Sequence, residues 1–380
     1  VVDSSGNSLS YPFNVTVYDH ENPVITCPSG SPDNEFHRFA DDGKAYYTTS
    51  GSEFNPGFSD NCEVVISNNF NNSSTLAGTT FPIGTTSVIW TARDASLNTA
   101  TCTIQIVVSD NQPPVISHCP GVTVAKSADL GYCYYQVPGA EYDPYGFSDN
   151  HGLLKLTYQI GSGTEVGTDL TTSLSGAQIP VATALAPTTT VLWRLYDLSG
   201  NVDASCQTVF TVTDVEPPQV LTVANQTRSA DAGLPDYTAR AEDNWDPVVT
   251  DNCEVETITY QIDEGTVVGT DPATSIVGVH FAVGTHTVAW TATDIHGNTT
   301  TRSYQVTVTD DEAPTAVCND ITVQLDETGQ YTLTTANIAT IGTGSSDPGG
   351  IAGMTVTPDT YSCGDVGENP VVLTVTDNNG

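Results

Sequence analysis

Residues 290–298 have the sequence WTATDIHGN, in which a tryptophan is followed four positions later by an Asp and then by Gly-Asn. Related phrases occur along the whole chain, and each of them keeps the acid. Aligned on that acid, the copies centre on Asp3, Asp94, Asp197, Asp294 and Asp377. Repetition of one phrase at long intervals indicates a tandem array of a single module.

Alternating sequence flanks each aligned acid. Around Asp294, for example, the apolar positions are Val288, Trp290 and Ala292 before it and Tyr304, Val306 and Val308 after it. Alternation with a period of two and one apolar face predicts half-buried β-strands. We therefore expect the tryptophan to be a core residue, and Leu373 to fill the same place in the last copy.

The spacing of the copies predicts the fold class. The aligned acids are roughly 80 to 105 residues apart, which is the size of an immunoglobulin-like sandwich. Gly or Pro interrupts the chain about every eight to twelve residues, and no segment has a convincing helical period. The prediction is an all-β protein built from tandem immunoglobulin-like antiparallel β-sandwiches in an extended array.

A Pro-containing linker follows the strand that comes after each aligned acid. These linkers set the predicted domain boundaries, because proline cannot continue a sheet ladder. Residues 1–20, with alternating Phe13, Val15 and Val17, are predicted to be the last strand of a preceding module. The other predicted domains are full modules at 21–112, 113–216 and 217–312 and a partial or divergent module at 313–380. The chain is thus interpreted as part of a longer repeat protein.

The charge balance is strongly acidic, with 45 Asp and Glu against 9 Lys and Arg and a net charge of -36. Such a surface repels nucleic acid and anionic membranes. No run of 18 apolar residues occurs, so no membrane insertion is expected in this segment. A merely solubilising or salt-adapted surface is the alternative interpretation, but it would scatter the acids, whereas here they recur at fixed positions.

Three kinds of recurring acidic position are predicted to meet at one end of each sandwich. They lie in the Asp-Asn loop that follows the second strand of the sandwich (the second loop), in the turn that ends the tryptophan strand (the strand-end loop), and in the linker that precedes the sandwich. We expect Asp110, for instance, to approach Asp149 and Asp197. The candidate metal ligands are the linker residues Asp19, Glu21, Asp110, Asp214, Glu216, Asp310 and Glu312, the second-loop residues Asp60, Asp149, Asp251 and Asp347, and the strand-end residues Asp94, Asn98, Asp197, Asn201, Asp294, Asn298 and Asp377.

Ca²⁺ is the cation that this ligand set predicts. Two carboxylates ~4 Å apart repel by roughly 4 kcal/mol at an effective dielectric near 20, so clustered acids require a counter-charge. Calcium takes about six to eight oxygen ligands from carboxylates, amides and backbone carbonyls, whereas zinc prefers Cys or His. A cation at each junction would stiffen the linker. The alternative is that Asp, Asn and Gly serve only their own turns.

The sequence resembles hyalin repeats. The resemblance rests on residues 83–102 (IGTTSVIWTARDASLNTATC) and 283–298 (VGTHTVAWTATDIHGN), together with SDNC at 59–62 and VTDNC at 249–253. It implies immunoglobulin-like modules of extracellular and cell-surface proteins that are associated with adhesion and lack catalysis. The chain departs from the pattern at Leu97, where Gly is usual, at His151, where Cys is usual, and at Arg302, which stands where the first full module has Cys102.

Nine cysteines with almost no CxxC spacing favour disulfides in an oxidising compartment over zinc sites. Their count is odd, so at least one thiol is free or bonded elsewhere. The predicted pairs are Cys62 with Cys102 and Cys318 with Cys363, while Cys206 would take Cys119 or Cys133 if it is bonded, and Cys253 has no evident partner.

These patterns predict a non-catalytic extracellular structural or adhesive repeat region, a stalk or filament rigidified by calcium between neighbouring modules. One alternative is an array that binds carbohydrate or a surface protein through exposed loop aromatics, namely Tyr134, Tyr135, Tyr142, Tyr145 and Trp245. Another is assembly of copies into a fibre through exposed edge strands. Neither H-E-x-x-H nor G-x-S-x-G occurs, so no enzyme is expected.

Overall fold

The structure of the chain is a computed structural model that describes residues 1–29 and 33–379. Its regular secondary structure is almost entirely β-strand, which confirms the predicted fold class of tandem β-sandwiches. The strands up to residue 213 are β1 (Val24–Thr26), β2 (Glu35–Phe39), β3 (Tyr46–Thr48), β4 (Gly57–Ser59), β5 (Val64–Asn68), β6 (Thr80–Pro82), β7 (Gly84–Asp94), β8 (Thr99–Ser109), β9 (Val115–His118), β10 (Thr123–Ser127), β11 (Tyr134–Gln136), β12 (Tyr145–Ser148), β13 (Leu153–Ile160), β14 (Glu165–Val166), β15 (Gln178–Pro180), β16 (Thr189–Asp197), β17 (Val202–Asp203) and β18 (Gln207–Thr213).

The remaining strands are β19 (Gln219–Val220), β20 (Gln226–Ser229), β21 (Asp236–Thr238), β22 (Val249–Thr250), β23 (Val255–Ile262), β24 (Val268–Asp271), β25 (His280–Ala282), β26 (Gly284–Asp294), β27 (Thr299–Thr309), β28 (Gln330–Thr332), β29 (Ile351–Thr357), β30 (Thr360–Ser362) and β31 (Val372–Asp377). The described chain divides into two compact units. The first consists of the described residues within 1–125, 136–179 and 186–211, and the second of those within 126–135, 180–185 and 212–380. The predicted four-module division stays a prediction.

In the first unit, the long hairpin of β7 and β8 forms the centre of a four-stranded sheet ordered β2-β8-β7-β5. Trp90 of β7 pairs in register with Cys102 of β8, and both face the core. The buried side chains of this core are Phe36, Ala40, Phe54, Ile66, Leu76, Phe81, Val88, Trp90, Ala92, Cys102, Ile104, Ile106 and Val108. Each large apolar side chain contributes about 1.5–3 kcal/mol on burial, so this alternating face is the main source of stability.

In the rest of the first unit, β16 lies between β13 and β18, as β7 lies between β5 and β8. Strands β13 and β16 pair antiparallel, with Tyr158 opposite Trp193, and the tryptophan is fully buried. Strand β9 pairs with β12 through Ile116 and Phe147. Strand β16 ends at Asp197, as the alternation predicted.

Parallel strand pairs occur in both units, which departs from the purely antiparallel prediction. Strand β2 runs parallel to β8, and β20 runs parallel to β27. In the first unit, β1 pairs antiparallel with β4, and the next strand, β2, pairs parallel with β8. A strand that changes sheets while keeping its direction meets one antiparallel and one parallel neighbour.

The second unit contains the five-stranded sheet β20-β27-β26-β23-β24 and the pairs β19–β22 and β21–β25. Its main core consists of Val220, Tyr237, Ala239, Trp245, Ile258, Tyr260, Ile276, Phe281, Val288, Trp290, Ala292, Tyr304, Val306 and Val308. Trp290 is 1% exposed, so the expectation that the tryptophan of the repeated phrase is a core residue is confirmed.

The region after residue 312 holds an element that the sequence analysis did not predict. Thr335–Ile341 forms a helix, α1, with Thr334 as its N-cap, whose hydroxyl accepts a hydrogen bond from the Asn337 N–H at 3.2 Å. Seven residues are too few for a helical period to stand out. Leu373 of β31 packs partly buried against the small core of this region, as expected.

Residues 9–23 form no strand, in contrast to the predicted terminal strand. Phe13, Val15 and Val17 are 83, 73 and 86% exposed. A strand requires a partner for its backbone groups, and no described strand pairs with this segment. No helix in the described residues is long and apolar enough to cross a membrane.

Three disulfides join described cysteines, and they are Cys27–Cys102, Cys119–Cys206 and Cys133–Cys253. The predicted Cys62–Cys102 bond is therefore wrong. Cys102 faces the core in the middle of β8, where it meets Cys27, whereas Cys62 is exposed in the loop before β5. Because Trp90 lies opposite Cys102, this cysteine is several residues inside the hairpin and not at its end.

The predicted Cys318–Cys363 bond is also wrong, since both thiols are free and exposed. Cys363 lies beside the Gly329 carbonyl, with its sulfur 3.6 Å from that oxygen. Asn319, the residue after Cys318, donates a backbone hydrogen bond to the Ile341 carbonyl at the end of α1. Of the two partners left open for Cys206, the structure pairs it with Cys119. Cys133 instead bonds to Cys253, because the turn before Cys133 lies against the Asp-Asn loop that contains Cys253.

Candidate metal centre

The strand-end Asp and Asn are joined to each other by the same two hydrogen bonds in four copies, of which the first, Asp3 with Asn7, is exposed. Asn98 donates from its backbone N–H to Asp94 Oδ1 and from its side-chain Nδ2 to Asp94 Oδ2, both at 2.7 Å. The corresponding bonds of Asn201 to Asp197 and of Asn298 to Asp294 are between 2.7 and 2.9 Å. This pairing closes the turn, so the asparagine retains only its carbonyl oxygen for a cation.

Asn98, Asn201 and Asn298 also form a hydrogen bond to the linker. Their Nδ2 groups donate to the backbone carbonyl of the linker acid at 3.3–3.4 Å. The three contacts are Asn98 to Asp19, Asn201 to Asp110 and Asn298 to Asp214. The linker is thereby fixed against the strand-end loop, as the sequence predicted for these positions.

Each linker acid has one satisfied and one unsatisfied oxygen. Its Oδ1 accepts a hydrogen bond from the N–H two residues later at 3.0–3.2 Å. Its Oδ2 is buried and has no hydrogen-bond partner among the described residues. The acids that share this pattern are Asp19, Asp110, Asp214 and Asp310.

The second-loop acids repeat the arrangement from the other side. Asp149 Oδ2 accepts hydrogen bonds from the N–H groups of His151 and Gly152 at 2.7 and 2.9 Å, and its Oδ1 is buried without a partner. Asp251 accepts in the same way from Cys253 and Glu254, and its Oδ1 is likewise unpartnered. In Asp347, Oδ2 is the unpartnered oxygen.

These acids converge in two groups of three. Oxygens of Asp110, Asp149 and Asp197 lie within 4.8 Å of one another, and so do oxygens of Asp214, Asp251 and Asp294. We call them the Asp110 site, in the first unit, and the Asp214 site, in the second unit. Carboxylates this close repel by several kcal/mol at an effective dielectric near 20, so each site requires a cation or a proton.

Electrostatics at the Asp214 site show this conflict. Burial raises the pKa of Asp251, the Cys253 N–H opposes the rise, and the charges of Asp294 and Asp214 add to it. At a third group, formed by Asp19, Asp60 and the Cys62 sulfur, the hydrogen bond to Asp19 raises the pKa of the thiol. The Cys62 sulfur therefore stays protonated there and adds no negative charge.

Comparison with known proteins identifies the repeat. Residues 18–108 match the HYR domain family. This part of the chain is therefore similar to a HYR domain. It is 27% identical to hyalin of Strongylocentrotus purpuratus over 99% of this chain and 29% of that protein, and 27% identical to hyalin of Lytechinus variegatus over 99% of this chain and 66% of that protein.

Solved structures with some likeness are cadherin ectodomains. Human desmocollin-1 is 14% identical with a TM-score of 0.26, covering 100% of this chain and 81% of that one. Mouse cadherin-23 EC22-24 is 15% identical with a TM-score of 0.25, covering 76% of this chain and 99% of that one.

The sequence analysis missed the asparagine that follows three of the four second-loop acids, Asp60, Asp149 and Asp251. Asn150 donates through Nδ2 to Asp110 Oδ1 and to the Lys44 carbonyl, both at 3.0 Å. Asn252 makes the same pair of bonds to Asp214 Oδ1 and the Tyr132 carbonyl at 3.1 Å. In the HYR domain itself, Asn61 donates to Glu21 at 2.9 Å. The recurring Asp-Asn dipeptide was the signal that would have identified these residues.

The predicted glutamate ligands do not join the three acidic groups. Glu216 accepts a hydrogen bond from the Gly131 N–H and Glu312 accepts one from the Gly233 N–H, each at 2.8 Å. Their carboxylates bind turn glycines with positive φ. Glu21, which Asn61 bonds, is also outside the described groups.

The acids after residue 309 are arranged more loosely. Asp310 Oδ2 and Asp347 Oδ2 are both buried without hydrogen-bond partners. A Cβ at Gly349 would collide with Asp310 Oδ2, so this carboxylate would have to shift to admit a larger residue. Asp377 ends β31 as predicted, but no group of three acids forms there among the described residues.

The aromatics proposed for an alternative binding face are mostly core residues. Trp245 is 1% exposed, and Tyr135 and Tyr142 are each 9% exposed, so these three predictions of exposed residues are wrong. They alternate with polar neighbours, and the sandwich buries them. Tyr145 is exposed and stacks on His118 at 4.4 Å, while Tyr134 is half-buried.

Proposed function

We propose that the chain is a non-catalytic, extracellular adhesive repeat segment whose Asp110 and Asp214 sites bind Ca²⁺ and thereby stiffen the linkers. The observation that carries the proposal is the recurrence of buried carboxylate oxygens without partners at the Asp110 and Asp214 sites. Burying an unpaired ionised carboxylate costs several kcal/mol, and such groups are normally paired or bound to a metal.

The residues present fit calcium. At the Asp110 site, the donors are Asp110 Oδ2, Asp149 Oδ1 and the Asp197 carboxylate, and the amide oxygen of Asn201 is nearby in the same turn. All are hard oxygen donors on loops, which suits the variable geometry of Ca²⁺. A bound ion would supply the positive charge that the three carboxylates lack.

The mechanical consequence follows from where the ligands lie. Asp110 belongs to the linker, while Asp149 and Asp197 belong to the loops of the following sandwich. A cation would join the three, and its removal would leave three like charges that push the linker away from the loops. Linker stiffness would therefore follow calcium concentration.

An extracellular setting fits the covalent chemistry and the relatives. Three disulfides are typical of proteins in oxidising compartments. Similarity to hyalin over 99% of the chain favours a repeat protein of the same kind, although the chain spans only 29% and 66% of the two hyalins. Partners within the proposal are neighbouring modules and further copies.

Calorimetric titration of the full chain with Ca²⁺ tests the proposal. We expect binding at millimolar or tighter affinity, with Asp149→Asn and Asp251→Asn each removing a site. Asp169→Asn is a matched control, because this exposed acid is bonded within its own turn by Thr171. Absence of binding heat together with an unchanged melting temperature in EGTA would rule out the calcium mechanism.

A further inference from the structure

His296 distinguishes the Asp214 site from the Asp110 site. It lies in the turn between β26 and β27, where the turn after Asp197 has Ser199. Its side chain is 14% exposed, so it is directed inward and not into solvent. No other strand-end turn of the chain places an imidazole at this position.

Two contacts fix the ring. Nε2 of His296 lies 3.1 Å from the Ala182 carbonyl oxygen, and Nδ1 lies 3.4 Å from Asp214 Oδ2. A carbonyl oxygen can only accept, so Nε2 carries a hydrogen. The Asp214 side chain is fully buried, and both its Oδ2 and the Nδ1 of His296 are buried atoms without a hydrogen-bond partner.

This orientation is that of a metal-binding histidine. Histidines that ligate metals donate their other ring N–H to a carbonyl or carboxylate, which fixes the tautomer and aims the free nitrogen at the metal. With Nε2–H held by Ala182, the lone pair of Nδ1 faces an anionic oxygen. That juxtaposition is repulsive unless a proton or a metal ion lies between the two atoms.

We propose that the Asp214 site binds a divalent transition-metal ion of the zinc class, with His296 Nδ1 and Asp214 Oδ2 as ligands. Asp251 and Asp294, whose oxygens lie within 4.8 Å of an Asp214 oxygen, supply further carboxylate donors. Imidazole and carboxylate are ligands that zinc accepts readily, whereas imidazole is foreign to calcium sites. The proposal rests on the proposed cation-binding function, and at this one site the zinc-class ion would compete with Ca²⁺ and bind more tightly.

The neighbouring sulfur does not belong to the ligand set. The Cys253 sulfur lies within 4.8 Å of ligand atoms of Asp214 and His296, but it is bonded to Cys133. At the Asp110 site, the nearby His151 has its Nδ1 3.0 Å from the Ser199 hydroxyl and faces no carboxylate in this way. The Asp110 site therefore keeps an all-oxygen set and its preference for calcium.

Co²⁺ titration of the full, disulfide-bonded chain tests the proposal, because cobalt reports histidine and carboxylate ligation in its visible absorption. We expect one Co²⁺ site that Zn²⁺ displaces. His296→Ser, which installs the residue found at position 199, is expected to weaken Co²⁺ binding at least about tenfold. His151→Ser is the matched control and is expected to leave the affinity unchanged.

The result separates the two proposals. Equal Co²⁺ affinity in wild type and His296→Ser, or no Co²⁺ site at all, would overturn the zinc-class assignment and leave a protonated His296 paired with Asp214. Ca²⁺ binding at the Asp110 site is measured separately in the same variants, as the binding that Asp149→Asn removes. Its absence would overturn the calcium proposal and would leave the zinc-class proposal untouched. His296→Gln, which keeps a donor for Ala182, guards against a folding defect, and its Co²⁺ affinity should fall equally.

Discussion

The Asp110 and Asp214 sites have the same three carboxylates but different surroundings. At the Asp110 site, Asn150 bonds the Lys44 carbonyl, and the residues beside those two are Ala45 and His151. At the Asp214 site, Asn252 bonds the Tyr132 carbonyl, and a disulfide joins the residues that follow these two. One acidic arrangement is thus supported by hydrogen bonds alone and the other also by a covalent bond, which allows the two contributions to be measured separately.

Loss of the Cys133–Cys253 bond is the largest effect expected. The double variant Cys133→Ser/Cys253→Ser should lower the free energy of unfolding of the second unit by about 2–4 kcal/mol, because the bond restrains a long segment of the unfolded chain. Urea denaturation measures this change. Cys318→Ser is the control, since that thiol is exposed and forms no disulfide, and it should change stability by less than about 0.5 kcal/mol.

Calcium should stabilise the Asp110 site by nearly as much. At a free concentration about one hundred times its dissociation constant, the ion should add about 2.7 kcal/mol to the free energy of unfolding. Asp149→Asn should remove that gain in calcium, yet in EGTA it should be as stable as wild type or more so, because one repelling charge is gone. Thermal denaturation in both buffers tests this, and a variant equally destabilised in both would contradict a cation site.

The Asp-Asn contacts should matter more where no disulfide supports them. Asn150→Ala should cost about 1–2 kcal/mol, since two hydrogen bonds are lost and one of them is to a carboxylate. Asn252→Ala should cost less, because Cys133–Cys253 still holds the same turn. Chemical denaturation of the two variants provides the comparison, and the difference should disappear in the Cys133→Ser/Cys253→Ser background.

The smallest expected effect is a pH dependence of the stability of the second unit, which arises from His286 and not from the Asp214 site. Burial lowers the pKa of His286, but hydrogen bonds from its ring to Asp263 and the Ala282 carbonyl, and the Asp263 charge, together raise it above the usual 6.5. A raised folded-state pKa means that the stabilisation is complete below about pH 6.5 and is lost as the pH rises through the folded value.

His286→Asn should remove roughly 0.5 kcal/mol of this pH-dependent stability, which is modest because the pair is partly solvated. Stability measured between pH 5 and 9 would show it, with the exposed His280→Asn as the control. An identical pH profile for wild type and His286→Asn would contradict this assignment. Comparisons of the Asp110 and Asp214 sites should therefore be made at one pH.

Most of the sandwich could be predicted from alternation alone, because apolar faces of period two must be buried. Strands β7, β16, β26 and β31 all end at the aligned acids for this reason. Position along a strand is harder to infer than its face, so Cys102 was matched with Cys62 at the loop instead of with Cys27 in the core. Trp245 looked exposed because its neighbours are acidic, but only the tertiary fold shows which loop residues turn inward.

The candidate site was predictable in its acids and not in its amides. Recurring charged residues are easy to recognise in a sequence. Asn150 and Asn252 donate to backbone carbonyls, and every residue has such a carbonyl, so the sequence does not show which one is the partner. Glu216 and Glu312 were assigned by charge to the acidic groups, yet turn glycines bind them. His296 was passed over because one imidazole has no pattern until its ring contacts are known.

The paired hydrogen bonds between Asp94 and Asn98, and their counterparts in the other copies, have a consequence for the kinetics of ion exchange. Since the turn is already closed by amide-to-carboxylate contacts, an arriving ion meets a preformed cradle and freezes little further backbone. Preorganisation of this kind keeps the entropic penalty of loading small. Such joints would fill and empty as fast as the surrounding salt composition changes, without unfolding of the sandwiches that they connect.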